Sequence, residues 1–276
     1  MNYKSFQEIS IQLDKTKYSL PPEAQKIIYN IKKKLDIKDI MNIRKYEKFE
    51  KPIIKKRGDI LDEIYKNLNK ITATTYKKLS PIIIDCVSNL NENEEIEVCN
   101  KIFEIITNNY FCCDIFAKLY SELVLLNDTF KYNYEKKVKE YLQITNHINY
   151  VSPNDNYDQY CNYVKEVDKI KNFTQFLIKG IQYQICTIDI ITNSIIYFQE
   201  KLITNIDLNE SIYINENYIS NIFIMIKEMI DFLVFHEKWE IIKKNNNHLL
   251  NIQGLGKNGK IKFTIMDIND IIIKNE

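Results

Sequence analysis

Through most of this 276-residue chain, apolar residues recur three and four positions apart, the period of one buried helix face. Between 73 and 90 they fall at Tyr76, Leu79, Ile83, Cys86, Val87 and Leu90. The next segment repeats the spacing at Val98, Ile102, Phe103 and Ile106, and the one after it at Ile115, Phe116, Leu119, Tyr120, Leu123 and Val124. The same period predicts helices at 54–70, 129–144, 158–183, 186–203, 215–231, 234–250 and 259–274, with a short one over roughly 22–36. Asn, Asp and Ser clusters stand between many of them, where they can cap or turn the chain. The most polar interruption, His147 to Tyr157, is the expected long loop.

Five Gly and five Pro are too few for the many turns of a sandwich or barrel, and no alternating stretch is long enough for a sheet. The fold class expected is therefore all-α. Helices joined by short connections suggest a HEAT-repeat-like α-solenoid of about five antiparallel helix pairs, preceded by a basic N-terminal extension. Self-similarity between the pairs is weak, so an irregular helical bundle is the competing arrangement.

Other classes drop out on length and spacing. The longest apolar stretches, such as Ile222 to Ile226, fall far short of the ~20 residues a membrane span needs. The opening Met1-Asn-Tyr-Lys-Ser has no apolar core of a secretory signal. The cysteines at 86, 99, 112, 113, 161 and 186 include no Cys-x-x-Cys and read as buried, reduced thiols of a cytosolic chain. The chain holds 50 Ile, 36 Lys and 32 Asn against 2 Arg and 3 Ala, a bias that AT-rich codons impose. Such a bias fits an AT-rich protist or a large DNA virus.

A formal net charge of +1 argues against a nucleic-acid binder until it is followed along the chain. Residues 1–57 hold 15 basic and 7 acidic side chains, whereas 58–276 hold 23 basic and 30 acidic. Phosphate binding depends on local basic density, so Lys32, Lys33, Lys34, Arg44, Lys45, Lys55, Lys56 and Arg57 are the candidate RNA contacts. The plainer reading of this arm is a solubilising extension. Domain organisation follows the charge: residues 1–52 form the extension and 53–276 the helical body.

Chemistry-bearing motifs are sparse. Gly254-Leu-Gly-Lys-Asn-Gly259 is a literal GxGxxG, but it follows an Asn-rich helix and leaves 17 residues, too few for a βαβ unit. It reads as a turn before the last helix. That helix places Ile261, Ile265, Ile268 and Ile272 on one stripe, with Lys262, Asp267 and Asp270 outward. His147, His236 and His248 stand apart without metal-ligand spacing, and His236 beside Trp239 reads as a partly buried pair on a helix face. No nucleophile setting or phosphate loop appears. Neither an enzyme nor a cofactor is expected.

Four stretches together carry a resemblance. Ile64-Tyr-Lys-Asn-Leu-Asn-Lys-Ile-Thr72, followed by Tyr76-Lys-Lys-Leu79, resembles the opening helix pair of the middle domain of eukaryotic initiation factor 4G. Ile102-Phe-Glu-Ile-Ile106 with Phe116-Ala-Lys-Leu-Tyr120 resembles its second pair, and Phe130 to Tyr141 its third. Gly259 to Asp270 resembles the closing helix. The order and spacing fit over roughly 54–274. Two departures stand out: Asn172 to Ile178 lacks the glycines of that family's third pair, and lysines replace its arginines at 260 and 262.

The resemblance implies a scaffold in translation initiation that binds a DEAD-box RNA helicase of the initiation factor 4A kind through both ends of the solenoid, in the cytoplasm. Asn69, Lys70 and Thr72 are the expected contacts near one end, and Lys227, Glu228, Lys262 and Asp267 those near the other. The same fold serves RNA surveillance and nuclear cap-binding adaptors, and a stand-alone RNA-binding protein using the basic arm is the reading from a different class. Two matches to a cap-binding pattern, Tyr120 to Leu126 and Tyr197 to Ile203, lie in expected helices whose apolar faces belong to the core. A cap-binding partner is left unsupported.

Overall fold

A computed structural model describes residues 21–34, 59–207, 212–252 and 259–275, and every regular element among them is helical. Residues 1–55 and 56–276 form separate units. In the first, α1 (Pro22–Lys34) begins on a proline, whose missing N–H costs nothing in a first turn. Its Ile27 and Tyr29 are exposed.

The second unit is a run of ten helices among the described residues: α2 (Asp59–Leu68), α3 (Tyr76–Val87), α4 (Glu92–Asn108), α5 (Cys113–Leu126), α6 (Asp128–Ile144), α7 (Tyr157–Gln182), α8 (Ile188–Asp207), α9 (Ile212–Leu233), α10 (Trp239–Asn251) and α11 (Gly259–Lys274). The expected long loop is present as 148–156, after a single 3-10 turn at Thr145–His147. Helix α2 ends two residues earlier than the spacing predicts, and α3 begins three residues later. Between them Thr75 Oγ1 donates to the Lys70 carbonyl at 2.9 Å and accepts from the Thr72 N–H at 2.8 Å. These side-chain bonds replace helical ones and stop both helices. Helix α10 starts five residues later than expected because 234–238 closes a turn, with the Trp239 N–H on the His236 carbonyl at 2.9 Å.

Capping follows sequence. Asn91 accepts from the Glu94 N–H while the Glu94 carboxylate accepts from the Asn91 N–H, a complete capping box for α4. Asn127 caps α6 and also donates from its amide to Glu95 Oε1 at 2.6 Å, satisfying a buried carboxylate of α4. The predicted stripes are the core: Val98, Ile102, Phe103 and Ile106 on α4, Phe116, Leu119, Tyr120 and Leu123 on α5, and Ile261, Ile265, Ile268 and Ile272 on α11 are all buried. Each fully buried side chain of this kind contributes about 1.5–3 kcal/mol.

Alternate helices stack into rows, as in an α-solenoid. One row is continuous: α3, α5, α7, α9 and α11 each pack on the next. Lys260 of α11 reaches Glu216 of α9 at 2.6 Å, both near their helix starts, so these two run parallel. The other row runs α2, α4, α6 and then α8, α10. Between α6 and α8 it lacks a shared ridge. Tyr141 instead meets the Phe198 ring at 5.8 Å, and the Asn146 amide donates to Tyr197 Oη at 2.9 Å.

Helix α7 causes that interruption. It has 26 residues against 17 in α6 and lies across both α4 and α5. Asn172 Nδ2 donates to the Thr107 carbonyl at 2.7 Å, and the Cys113 thiol donates to the Asn172 carbonyl at 3.4 Å. The departure from the expected third pair thus has a structural counterpart, since the stretch 172–178 is a packing face of α7.

Candidate partner-binding surfaces

All seven residues expected to touch a helicase are exposed. Asn69, Lys70 and Thr72 occupy the connection between α2 and α3, at the first pair of the stack. Lys227 and Glu228 lie in the last two turns of α9, with Lys227 Nζ 5.7 Å above the Phe223 ring. Lys262 and Asp267 lie on the neighbouring α11. The structure therefore brings the second group onto two adjacent parallel helices and leaves the first group at the opposite end. Among the described residues no hydrogen bond or ion pair joins any two of the seven.

The basic candidates are less visible. Lys32, Lys33 and Lys34 belong to the last turn of α1, and their side chains lie outside the described residues. Arg44, Lys45, Lys55, Lys56 and Arg57 lie outside them altogether, as does 253–258 of the glycine motif; Gly259 is the first residue of α11.

One surface has no counterpart in the sequence reading. Where the N-terminal half of α7 diverges from α6, it leaves a cleft of about 740 Å³ that runs into a second hollow of about 310 Å³ against α4. Glu140, Ile144 and Glu166 border both. Phe103, Tyr141, Ile170 and Phe173 line the second hollow, while exposed Gln143, Asn149, Gln159 and Asn162 border the first. The charges are already matched: Lys137 reaches Glu140 at 2.8 Å and Lys169 reaches Glu166 at 2.7 Å. The amides offer donors and acceptors together, and no Ser or Cys lines either hollow among the described residues. The only sequence signal was the length of α7, about 13 Å longer than α6 at 1.5 Å per residue.

Beside the cleft stands a group of tyrosines. Tyr150 stacks on Tyr213 with ring centroids 3.4 Å apart, and Tyr163 meets both edge-on. Burial first, and then the Glu216 carboxylate, pushes the Tyr163 phenol up to about 12.

The remaining candidates have structural roles. His236 is in the turn before α10 rather than on a helix face. Its Nδ1 accepts from the Lys238 N–H at 3.2 Å, so Nε2 carries the proton and donates to Asp189 Oδ1 at 3.1 Å, pinning this turn to the start of α8. His147 and His248 are exposed. All six cysteines are free thiols. Burial pushes Cys99 and Cys113 up to about 12 and Cys186 up to about 11. Among the described residues no three His, Cys, Asp or Glu side chains converge as metal ligands, and no helix is long and apolar enough to cross a membrane.

Both cap-binding patterns are broken by burial. Tyr120 is fully buried, its hydroxyl donating to the Phe130 carbonyl at 2.7 Å, and Leu202 is fully buried too. Leu125 departs from expectation: it is 88% exposed, although its helix contributes the face on the other side to the core. The sequence matches no family model and no curated protein.

Proposed function

We propose that the chain is a non-enzymatic translation-initiation scaffold that binds a DEAD-box RNA helicase of the initiation factor 4A kind through the two ends of its helical unit. The observation that carries this reading is the disposition of the resemblance itself. The apolar residues of its motifs, Ile64, Leu68, Ile102, Phe103, Phe116 and Ile261 among them, are buried. Its polar residues Asn69, Lys70, Thr72, Lys262 and Asp267 face solvent at opposite ends of an uninterrupted row of helices. A scaffold that orients two lobes of a partner needs two separated contact patches on one continuous body.

In this reading the helicase supplies the ATP and Mg sites, the basic arm supplies RNA affinity, and the site of action is the cytoplasm. The experiment is a titration of the full chain into an initiation-factor-4A-type helicase, read as binding and as RNA-stimulated ATPase rate. Binding is expected with a raised rate, and Lys70→Glu or Lys262→Glu is expected to weaken it severalfold, more at low salt. No binding together with an unchanged ATPase rate overturns the proposal.

A further inference from the structure

The two ends of the stack turn different chemistry outward. At the first end, α2 exposes Asp62, Glu63 and Lys66 and one apolar side chain, Ile60. At the other end, α11 has a full apolar stripe on one side and three exposed apolar side chains among charges on the other. Ile261, Ile265, Ile268 and Ile272 are buried against α9 and α10. On the opposite side Phe263 is 64% exposed, Met266 44% and Ile273 59%, with Asp270 completing a ridge of three- and four-residue steps. A helix apolar on two faces is built to pack on two faces.

We propose that this ridge is the contact between two copies of the chain, α11 against α11, antiparallel about a two-fold axis through Met266. The order of charges along the ridge selects that arrangement. With Met266 on the axis, exposed Lys262 lies opposite Asp270 of the second copy, and the pair occurs twice by symmetry. Asp270 is the one carboxylate in the middle of the ridge, and it would be costly under an apolar partner without such a cation. Parallel pairing sets Lys262 beside Lys262 and Asp270 beside Asp270, which repel.

The same register explains a glycine. Ile273 falls opposite Gly259 of the second copy, where a missing side chain leaves room. Among the described residues an added Cβ at Gly259 would meet only the Phe263 ring, at an ordinary 3.6 Å. An isologous contact of this kind closes after two copies. The inference does not depend on the helicase reading, although Lys262 would serve either partner, so dimer and helicase would compete for α11.

The test is light scattering of the full chain after size exclusion at micromolar concentration. A species of twice the 33.0 kDa chain mass is expected. Met266→Asp, and separately Asp270→Lys, is expected to raise the dimer dissociation constant about tenfold or more. The double variant Lys262→Asp with Asp270→Lys is expected to restore it. Far-UV circular dichroism checks that each variant keeps its helices, and all three sites are solvent-facing, so the fold does not depend on them. A monomeric wild-type chain overturns the proposal. So does a dimer that survives Met266→Asp, or a folded double swap that stays monomeric.

Discussion

The Thr174 hydroxyl of α7 lies 2.6 Å from Asn221 Oδ1 of α9, and on its other side 2.6 Å from the Tyr141 hydroxyl of α6. One proton per hydroxyl gives the chain a direction. Tyr141 donates to Thr174, Thr174 donates to Asn221, and the Asn221 amide donates to the Asn217 carbonyl at 2.8 Å. All three side chains are buried, so no water can replace a missing partner.

Thr174→Val keeps the shape and removes the relay. It leaves the Tyr141 hydroxyl without its acceptor and Asn221 Oδ1 without its donor. The expected cost is about 1–3 kcal/mol, seen as a lower urea midpoint with an unchanged slope. An unchanged midpoint would mean that the relay contributes nothing.

Tyr120 and Leu125 sit five residues apart on α5 and should behave oppositely. Tyr120→Phe removes a buried hydrogen bond to the Phe130 carbonyl and is expected to cost about 0.5–1.5 kcal/mol. Leu125→Glu, at a position 88% exposed, should change stability by no more than about 0.5 kcal/mol. Thermal melts of the two variants beside the wild type decide it; similar losses would contradict the burial pattern.

Gly180 is required by close approach. A Cβ there would come 3.0 Å from Ile185 Cγ1 and 3.1 Å from Cys186 Cβ, where the chain doubles back onto the end of α7. Gly180→Ala is expected to cost about 1–3 kcal/mol through overpacking. The same turn holds Gln184 at φ 61°, a left-handed conformation in which glycine is at ease. Gln184→Gly is therefore expected to be neutral or slightly stabilising, and a large loss in the same denaturation assay would be inconsistent with that geometry.

Buried thiols make the fold sensitive to alkali. Cys99 and Cys113 rise from an ordinary 9.0 to about 12, chiefly through burial. Above pH 9 the unfolded chain releases these protons first and so binds fewer than the folded chain. Stability is thus complete below about pH 9 and falls as pH climbs toward 12. Denaturation midpoints at pH 8 and pH 10.5 should differ in that direction, and a disulfide reagent should label these two cysteines only after unfolding.

Much of the fold is legible in sequence because helix faces obey a local rule. The stripe Ile261, Ile265, Ile268 and Ile272 is visible without coordinates, and so are the Asn-rich breaks in which the caps Asn91 and Asn127 stand. What the period cannot express is which neighbour a stripe meets. Helix α7 reads as one long helix, yet its crossing over α4 and α5 depends on side chains far away, such as Asn172 on Thr107. The cleft exists only because of that crossing, and beyond the length of α7 no local pattern marks it. Leu125 and Phe263 were equally hidden, because apolar residues off the main stripe look the same whether a partner covers them or water does.

The interrupted row has a mechanical meaning. At the junctions on either side of α6–α8, two rows of packed ridges resist bending. At α6–α8 one row does so, assisted only by side-chain tips such as Tyr141 on Phe198. Stiffness is thus unevenly distributed along the stack, which behaves as two firm arms with a compliant elbow at α7. Flexing that elbow would change the spacing of the two ends while leaving the internal packing of each arm untouched.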